Sequence, residues 1–159
     1  MSSIDHLPKL EMLRDERGSV ILAWVGRNVL HAKFSGRLSE EVGLAVVARL
    51  EAGLREGRTI SYFSDASALE DYDVVARSAL VRLVLARRRQ FDSIVMLCGS
   101  AGITPATRAF VSAVGEPVTL LTNLHEFDRL LTAAAPLARQ RLEPHRWQQP
   151  SGGAGSRNR

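Results

Sequence analysis

The sequence predicts one α/β domain: a mixed, mostly parallel central sheet, opened by an N-terminal hairpin and packed with about four helices. Three observations predict it. Strand-length apolar runs recur between segments with helical spacing. The helical segments begin at capping residues, and two of them end at glycines. Two strand-like runs near the start are separated only by Gly26-Arg27-Asn28, a three-residue hairpin connection. The resulting order, β-β-α-β-α-β-α-β-α, implies right-handed crossovers that lay helices over parallel strands. With 45% apolar residues in 159, the chain fills one core.

Val20 to Val25 is the first strand, and in the second Leu30, Ala32 and Phe34 alternate with Val29, His31 and Lys33. Trp24 and Phe34 would then form a cross-strand pair; an outward Trp24 would instead be an interface anchor. Gly36 breaks the alternation. Ser39 is the N-cap of a first helix, Glu40 and Glu41 suit its positive end, and Gly57 closes it. Its core face is Val42, Val46, Leu50 and Leu54.

Thr59 to Ser64 reads as the third strand and Val74 to about Arg89 as the second helix. Phe91 to Cys98 is nearly continuous in apolar residues, the pattern of a strand buried on both faces. Thr104-Pro105 opens a helix that Gly115 ends. Val118 to Leu121 is a last short strand. Asn123 and Glu126 make a capping pair for a final helix whose buried stripe is Phe127, Leu130, Leu131 and Ala134. The domain is expected to span residues 1–142. Residues 143–159, rich in Pro, Gly, Ser and Arg, read as a disordered basic tail.

Charge placement excludes several functions. The net charge is +4, but residues 1–135 carry sixteen basic and sixteen acidic side chains, so the excess lies from Pro136 onward. A nucleic-acid module carries its positive stripe on the folded face, so no specific nucleic-acid partner is expected. One cysteine, Cys98, allows no intramolecular disulfide, and no Cys/His set has zinc-ligand spacing. No metal or cofactor is expected. No run is long enough to span a bilayer, and Met1 to Leu10 lacks the apolar stretch of a signal peptide.

The chain's most unusual stretch is Tyr62 to Asp73, where an apolar run empties into a segment carrying Asp65, Glu70, Asp71 and Asp73. Read as a loop at the carboxyl end of a strand, it faces the place where ligands and partners meet parallel sheets. The Cys98–Thr104 segment shares that edge if the two strands are neighbours. The order of elements, together with Phe34-Ser35-Gly36-Arg37-Leu38, Asp65-Ala66-Ser67, Asp73 and Val95-Met96-Leu97, resembles the STAS domain. It is most similar to the SpoIIAA-like branch, often grouped with SEC14-like lipid-binding proteins. The likeness covers roughly Ser19 to Leu131.

That resemblance implies a non-enzymatic bacterial, cytoplasmic signalling module that docks on a regulatory protein, a kinase, anti-sigma factor or similar. In the phosphorylated antagonists the Asp at the helix mouth is followed by Ser or Thr; here Asp73 is followed by Val74 and Val75. The usual phosphoserine switch is therefore not expected. Ser67 and Ser78 are the nearest hydroxyls open to modification.

The expected partner-binding residues are Asp65, Ser67, Asp71, Tyr72, Asp73, Arg77, Ser100 and Thr104. Their plainer roles compete: Asp73 is a good N-cap, and Arg77, one turn on, could pair with it. The acids could hold a cation, but they lack the alternation and central glycine of a calcium loop. Arg87 to Arg89 suit a helix's negative end, and the glycines before Thr104 fall short of a nucleotide loop. Cys98 reads as a small buried side chain. The four histidines form no triad or metal site. A homodimer, if formed, would use the hairpin edge. The alternative function is a SEC14-like carrier of a lipid or other apolar ligand, which needs a cavity of several hundred Å³.

Overall fold

The structure, a computed structural model, describes residues 10–55, 57–99 and 104–135. It is a six-stranded mixed sheet with four helices. The elements are β1 (Leu10–Arg14), β2 (Gly18–Gly26), β3 (Val29–Leu38), α1 (Glu40–Arg55), β4 (Ile60–Tyr72), α2 (Val74–Ala86), β5 (Phe91–Cys98), α3 (Pro105–Val114), β6 (Val118–Leu121) and α4 (Leu124–Ala134). The strands lie side by side in chain order; β1, β2 and β3 are antiparallel, and β3 to β6 parallel.

Three crossovers stepping the same way put α1, α2 and α3 on one face. There Leu22, Leu30, Phe34, Ile60, Tyr62 and Ile94 meet Val42, Val46, Leu50 and Leu54 of α1, Val84 of α2 and Val114 of α3. The strand residues of opposite parity form the second core, where Ala23, Val25, Val29, Phe63, Val95 and Leu97 lie under Phe127 and Leu131 of α4. Alternation of side chains across each strand is what builds two cores from one sheet.

Several expectations are corrected. β1 is an added strand, so the described residues form six strands instead of the expected five. Its five residues, with Leu10 and Met12 exposed, give little apolar signal, and pairing with β2 defines it. The hairpin turn is Arg27-Asn28, because Gly26 already pairs with Val29 after a bulge beyond Trp24. Trp24 stands opposite Leu30 and Phe34 opposite Val20, so those two rings are not a cross-strand pair; Phe34 instead packs on Tyr72 with centroids 6.3 Å apart. The second helix stops at Ala86, and Arg88–Gln90 form a 3₁₀ turn.

The capping expectations are met. Ser39, Asp73, Thr104 and Asn123 accept from first-turn amides of α1, α2, α3 and α4 respectively.

The largest correction concerns the acidic stretch. It is no loop: β4 continues to Tyr72, pairing Ala68, Leu69, Asp71 and Tyr72 with Ser35, Gly36, Arg37 and Leu38 of β3. Two register shifts make this possible. Gly36 adopts φ +75°, a conformation that suits glycine, and its neighbour Arg37 donates to the Arg17 carbonyl at 3.1 Å. The broken alternation at Gly36 thus marks a bulge inside a strand and not its end.

Candidate functional site

The carboxyl ends of the parallel strands divide the expected site in two. Asp65 and Ser67 stand beside the end of β5, with Ala66 paired to Cys98. Asp71, Tyr72 and Asp73 lie where β4 turns into α2, about 20 Å further along at strand rise. Ser100 lies outside the described residues. Thr104 is exposed at the start of α3, its hydroxyl accepting from the Thr107 amide at 3.2 Å.

Asp65 is almost fully buried, and one of its oxygens accepts from the Ser67 amide at 3.0 Å and the Ser67 hydroxyl at 2.6 Å. The Asp-x-Ser motif is thereby a local clasp within β4. A Cβ on Gly99 would stand 2.8 Å from the Ser67 carbonyl, so the exit of β5 is packed against the same clasp. Below it His31 is buried between β3 and α4, its ring 6.0 Å from that of Phe127. Burial pushes the His31 pKa down; the charges of Asp65 and Asp128 oppose this and that of Lys33 adds to it.

At the second location, the Asp73 carboxylate accepts from the Val75 and Ala76 amides at 2.8 and 3.2 Å. With its carboxylate given to the cap, Asp73 forms no ion pair with Arg77; the two share only the first-turn backbone bond, at 2.9 Å. Tyr72 is turned inward against Phe34, and its buried hydroxyl has no hydrogen-bond partner. Burial, with Asp73 nearby, pushes its pKa up to about 12. Neither residue presents a free side chain to a partner.

The exposed part of this end was not singled out by the sequence reading. Val74 and Val75 are 62% and 48% exposed at the first turn of α2. Glu70 and Asp71 flank them on the strand side, with Glu70 3.5 Å from Arg37. Leu85 continues the exposed face, with Ser78 between at helical spacing. The available signal was that α2 is apolar nearly all round, whereas a surface helix normally confines apolar residues to one stripe.

Elsewhere on this end the Ser39 hydroxyl and the Arg17 and Gly18 amides hold the Asp15 carboxyl below its usual range. Cys98 is half-buried, and desolvation raises its thiol pKa, which argues against a reactive thiolate. Among the described residues no group of three or more His, Cys, Asp or Glu could hold a metal ion, and no helix is long and apolar enough to cross a membrane.

This architecture is a SpoIIAA-like, STAS-type fold. It is similar to that of an uncharacterised protein of the DUF3478 family with a SpoIIAA-like fold, from Shewanella loihica PV-4. That match has TM-score 0.52 and 19% identity, and covers 82% of this chain and 98% of the other. Two further solved structures are similar. The anti-sigma factor antagonist SpoIIAA in its unphosphorylated form matches at 20% identity and TM-score 0.48, over 70% of this chain and 96% of its own. An anti-sigma factor antagonist from Mycobacterium paratuberculosis matches at 15% identity and TM-score 0.42, over 82% and 97%. No protein-family profile and no curated protein matches the chain.

Proposed function

We propose that this protein is a non-enzymatic, cytoplasmic bacterial regulatory module that captures a protein partner at the carboxyl end of its sheet. The observation that carries the reading is the exposed Val74–Val75 pair at the start of α2, bordered by Glu70 and Asp71. Apolar anchors inside a charged rim are the usual anatomy of a protein-binding patch. The acids favour a basic partner surface. Ser67 gives its hydroxyl to Asp65, which supports a structural clasp over a nucleophile awaiting a base. The STAS-like sequence motifs supply the regulatory class, a kinase or anti-sigma-type regulator being the expected partner. Val74 and Val75, where the family carries a hydroxyl, support a module without the usual phosphoserine switch.

The experiment is affinity capture of the tagged full chain from its own cells, with bound proteins identified by mass spectrometry and the pair then rebuilt from purified components. Val74→Asp and Asp71→Arg are the informative variants. Asp73→Ala and Tyr72→Ala are poor ones, because they remove a helix cap and a core ring. A regulator bound by the wild type and lost in both variants is the expected result. Binding indifferent to both variants would place the interface elsewhere and refute the proposal.

A further inference from the structure

Among the described residues the sheet has two open edges, β1 and β6. β6 is guarded: it is four residues long, and Pro117 stands at its entry. β1 has no such device. It pairs with β2 in unbroken register from Leu10↔Ala23 to Arg14↔Ser19 and contains neither a proline nor a bulge. It also takes the margin of the sheet that the hairpin strand β2 would otherwise hold.

The hydrogen-bond pattern fixes which groups of β1 point outward. The Asp15 amide donates to the Gly18 carbonyl at 3.1 Å, so these two residues form a hydrogen-bonded pair at the β1–β2 turn. Bonded and non-bonded pairs alternate along an antiparallel ladder. Leu13 with Val20 and Glu11 with Leu22 are therefore bonded pairs as well. The N–H and C=O groups of Leu10, Met12 and Arg14 face away from β2. These are also the strand's exposed residues, with Leu10 and Met12 63% and 57% exposed. Met12 stands opposite the half-buried Ile21, so an apolar row runs across the sheet to this margin. On the other face Glu11 is bound by Arg49 of α1 through two bonds of 2.8 and 2.6 Å, which fastens the strand to the body.

We propose that β1 is a dimerisation edge, pairing antiparallel with β1 of a second copy about a two-fold axis at Met12. The strand fits itself. With Met12 opposite Met12 of the second copy, Leu10 stands opposite Arg14, and every outward N–H meets an outward C=O. An axis at Glu11 or at Leu13 leaves Arg14 or Leu10 without a partner in the strand. The first of these also sets Glu11 against Glu11 of the second copy, and the other sets Glu11 against Asp15, which like-charge repulsion disfavours. The register centred on Met12 opposes no like charges. It also joins the two Ile21–Met12 rows into one apolar row across the seam. Such a contact is self-complementary and closed, so it gives a dimer and no fibre. It stands independently of whether the acidic end of the sheet binds a partner.

The test is sedimentation velocity of the full chain from micromolar to near-millimolar concentration, with amide exchange followed by NMR. A monomer–dimer equilibrium is expected. The Met12 amide should exchange more slowly as concentration rises, while the Leu13 amide, bonded to β2 in either state, stays the same. Met12→Lys brings two ammonium groups together across the axis and should weaken the dimer about tenfold. Leu10→Glu sets a carboxylate opposite Arg14 of the second copy, twice by symmetry. It should dimerise at least as tightly as the wild type and lose that advantage in high salt. Val74→Asp should dimerise as the wild type does, which separates this edge from the docking patch. A monomer at every concentration, a dimer indifferent to Met12→Lys or broken by Val74→Asp, or equal weakening by Leu10→Glu and Met12→Lys would overturn the proposal.

Discussion

Gly43 of α1 lies directly against the ring of Tyr72: a Cβ there would stand 2.9 Å from Tyr72 Cε2 and would also strike the Ala76 side chain. The missing side chain lets the end of β4 and the first turn of α2 seat against α1. Gly43→Ala gains up to about 1 kcal/mol of helix propensity. It also forces an overpacked contact that typically costs about 1–3 kcal/mol. The expected outcome is a net loss of about 1–2 kcal/mol, read as a lower urea midpoint with unchanged slope. The exposed Gly57→Ala, with no atom within 4 Å but a positive φ, is the control for backbone strain alone.

Most of the fold was legible because its signals are local. The caps at Ser39, Asp73, Thr104 and Asn123, the stop at Gly115 and the buried run of β5 are each set by neighbouring residues. What escaped reading depends on residues far apart in the chain. Nothing near Ser67 says that Ala68 to Tyr72 will pair with Ser35 to Leu38, since this extension needs the Gly36 bulge thirty residues earlier. For the proposed docking patch, the sequence pointed to the ends of the parallel strands, and the structure shows side-chain settings there that the sequence did not reveal. Asp73 and Tyr72 look like surface chemistry and are spent on a cap and a core. Val74 and Val75 look like core and are exposed, because α1 and α3 occupy only part of an all-round apolar helix.

The Tyr62 and Tyr72 hydroxyls are both buried without a hydrogen-bond partner. Desolvation dominates at each and raises both pKa values, Tyr72 to about 12 and Tyr62 further; the Ser64 hydroxyl offsets the Tyr62 shift slightly without reaching bonding geometry. An unfolded tyrosine ionises near 10. Above that pH the unfolded chain releases protons that the native state keeps, so stability is complete below pH 10 and falls as pH rises towards 12. Tyr62→Phe should flatten part of this alkaline loss. Because it removes an unsatisfied polar atom, it should leave neutral-pH stability unchanged or raise it by about 1 kcal/mol. Urea titrations at pH 7, 9.5 and 11 check both; a loss of more than 1 kcal/mol at pH 7 would mean that the Tyr62 hydroxyl is bonded.

His31 predicts the opposite limb. Its Nδ1 is buried and unpartnered, and the groups facing it are Lys33 of its own strand, Asp65 of β4 and Asp128 of α4. Desolvation holds its pKa below 6.5, so the folded state keeps the ring neutral where the unfolded chain would protonate it. Stability is therefore full above pH 6.5 and declines as pH falls from there to the folded pKa, by at most about 1.4 kcal/mol per pH unit. His31→Leu should remove this slope between pH 6.5 and 5, above the range in which ordinary carboxylates titrate. A slope identical in wild type and variant would assign the acid sensitivity to another group.

Ser67 and Ser78 should respond differently to a negative charge. Ser67 donates at 2.6 Å to Asp65, which is only 6% exposed, so a carboxylate at residue 67 would replace a hydrogen bond with like-charge repulsion at a buried acid. Ser67→Glu should cost about 2 kcal/mol or more of stability, beyond the roughly 1 kcal/mol lost on Ser67→Ala. Ser78 is exposed on α2, between Val74 and Leu85 on the outward face, and one turn before Arg82. A charge there meets water and an arginine instead of a buried acid. Ser78→Glu should unfold at the wild-type urea midpoint within about 0.5 kcal/mol, the usual tolerance of a surface site. On the proposed docking role it should nevertheless weaken partner capture, because it places a hydrated charge between Val74 and Leu85 on the exposed face. If Ser78→Glu binds like wild type while Val74→Asp does not, the interface stops at the first turn of α2. If Ser67→Glu is as stable as Ser67→Ala, the Asp65 clasp is not held in solution.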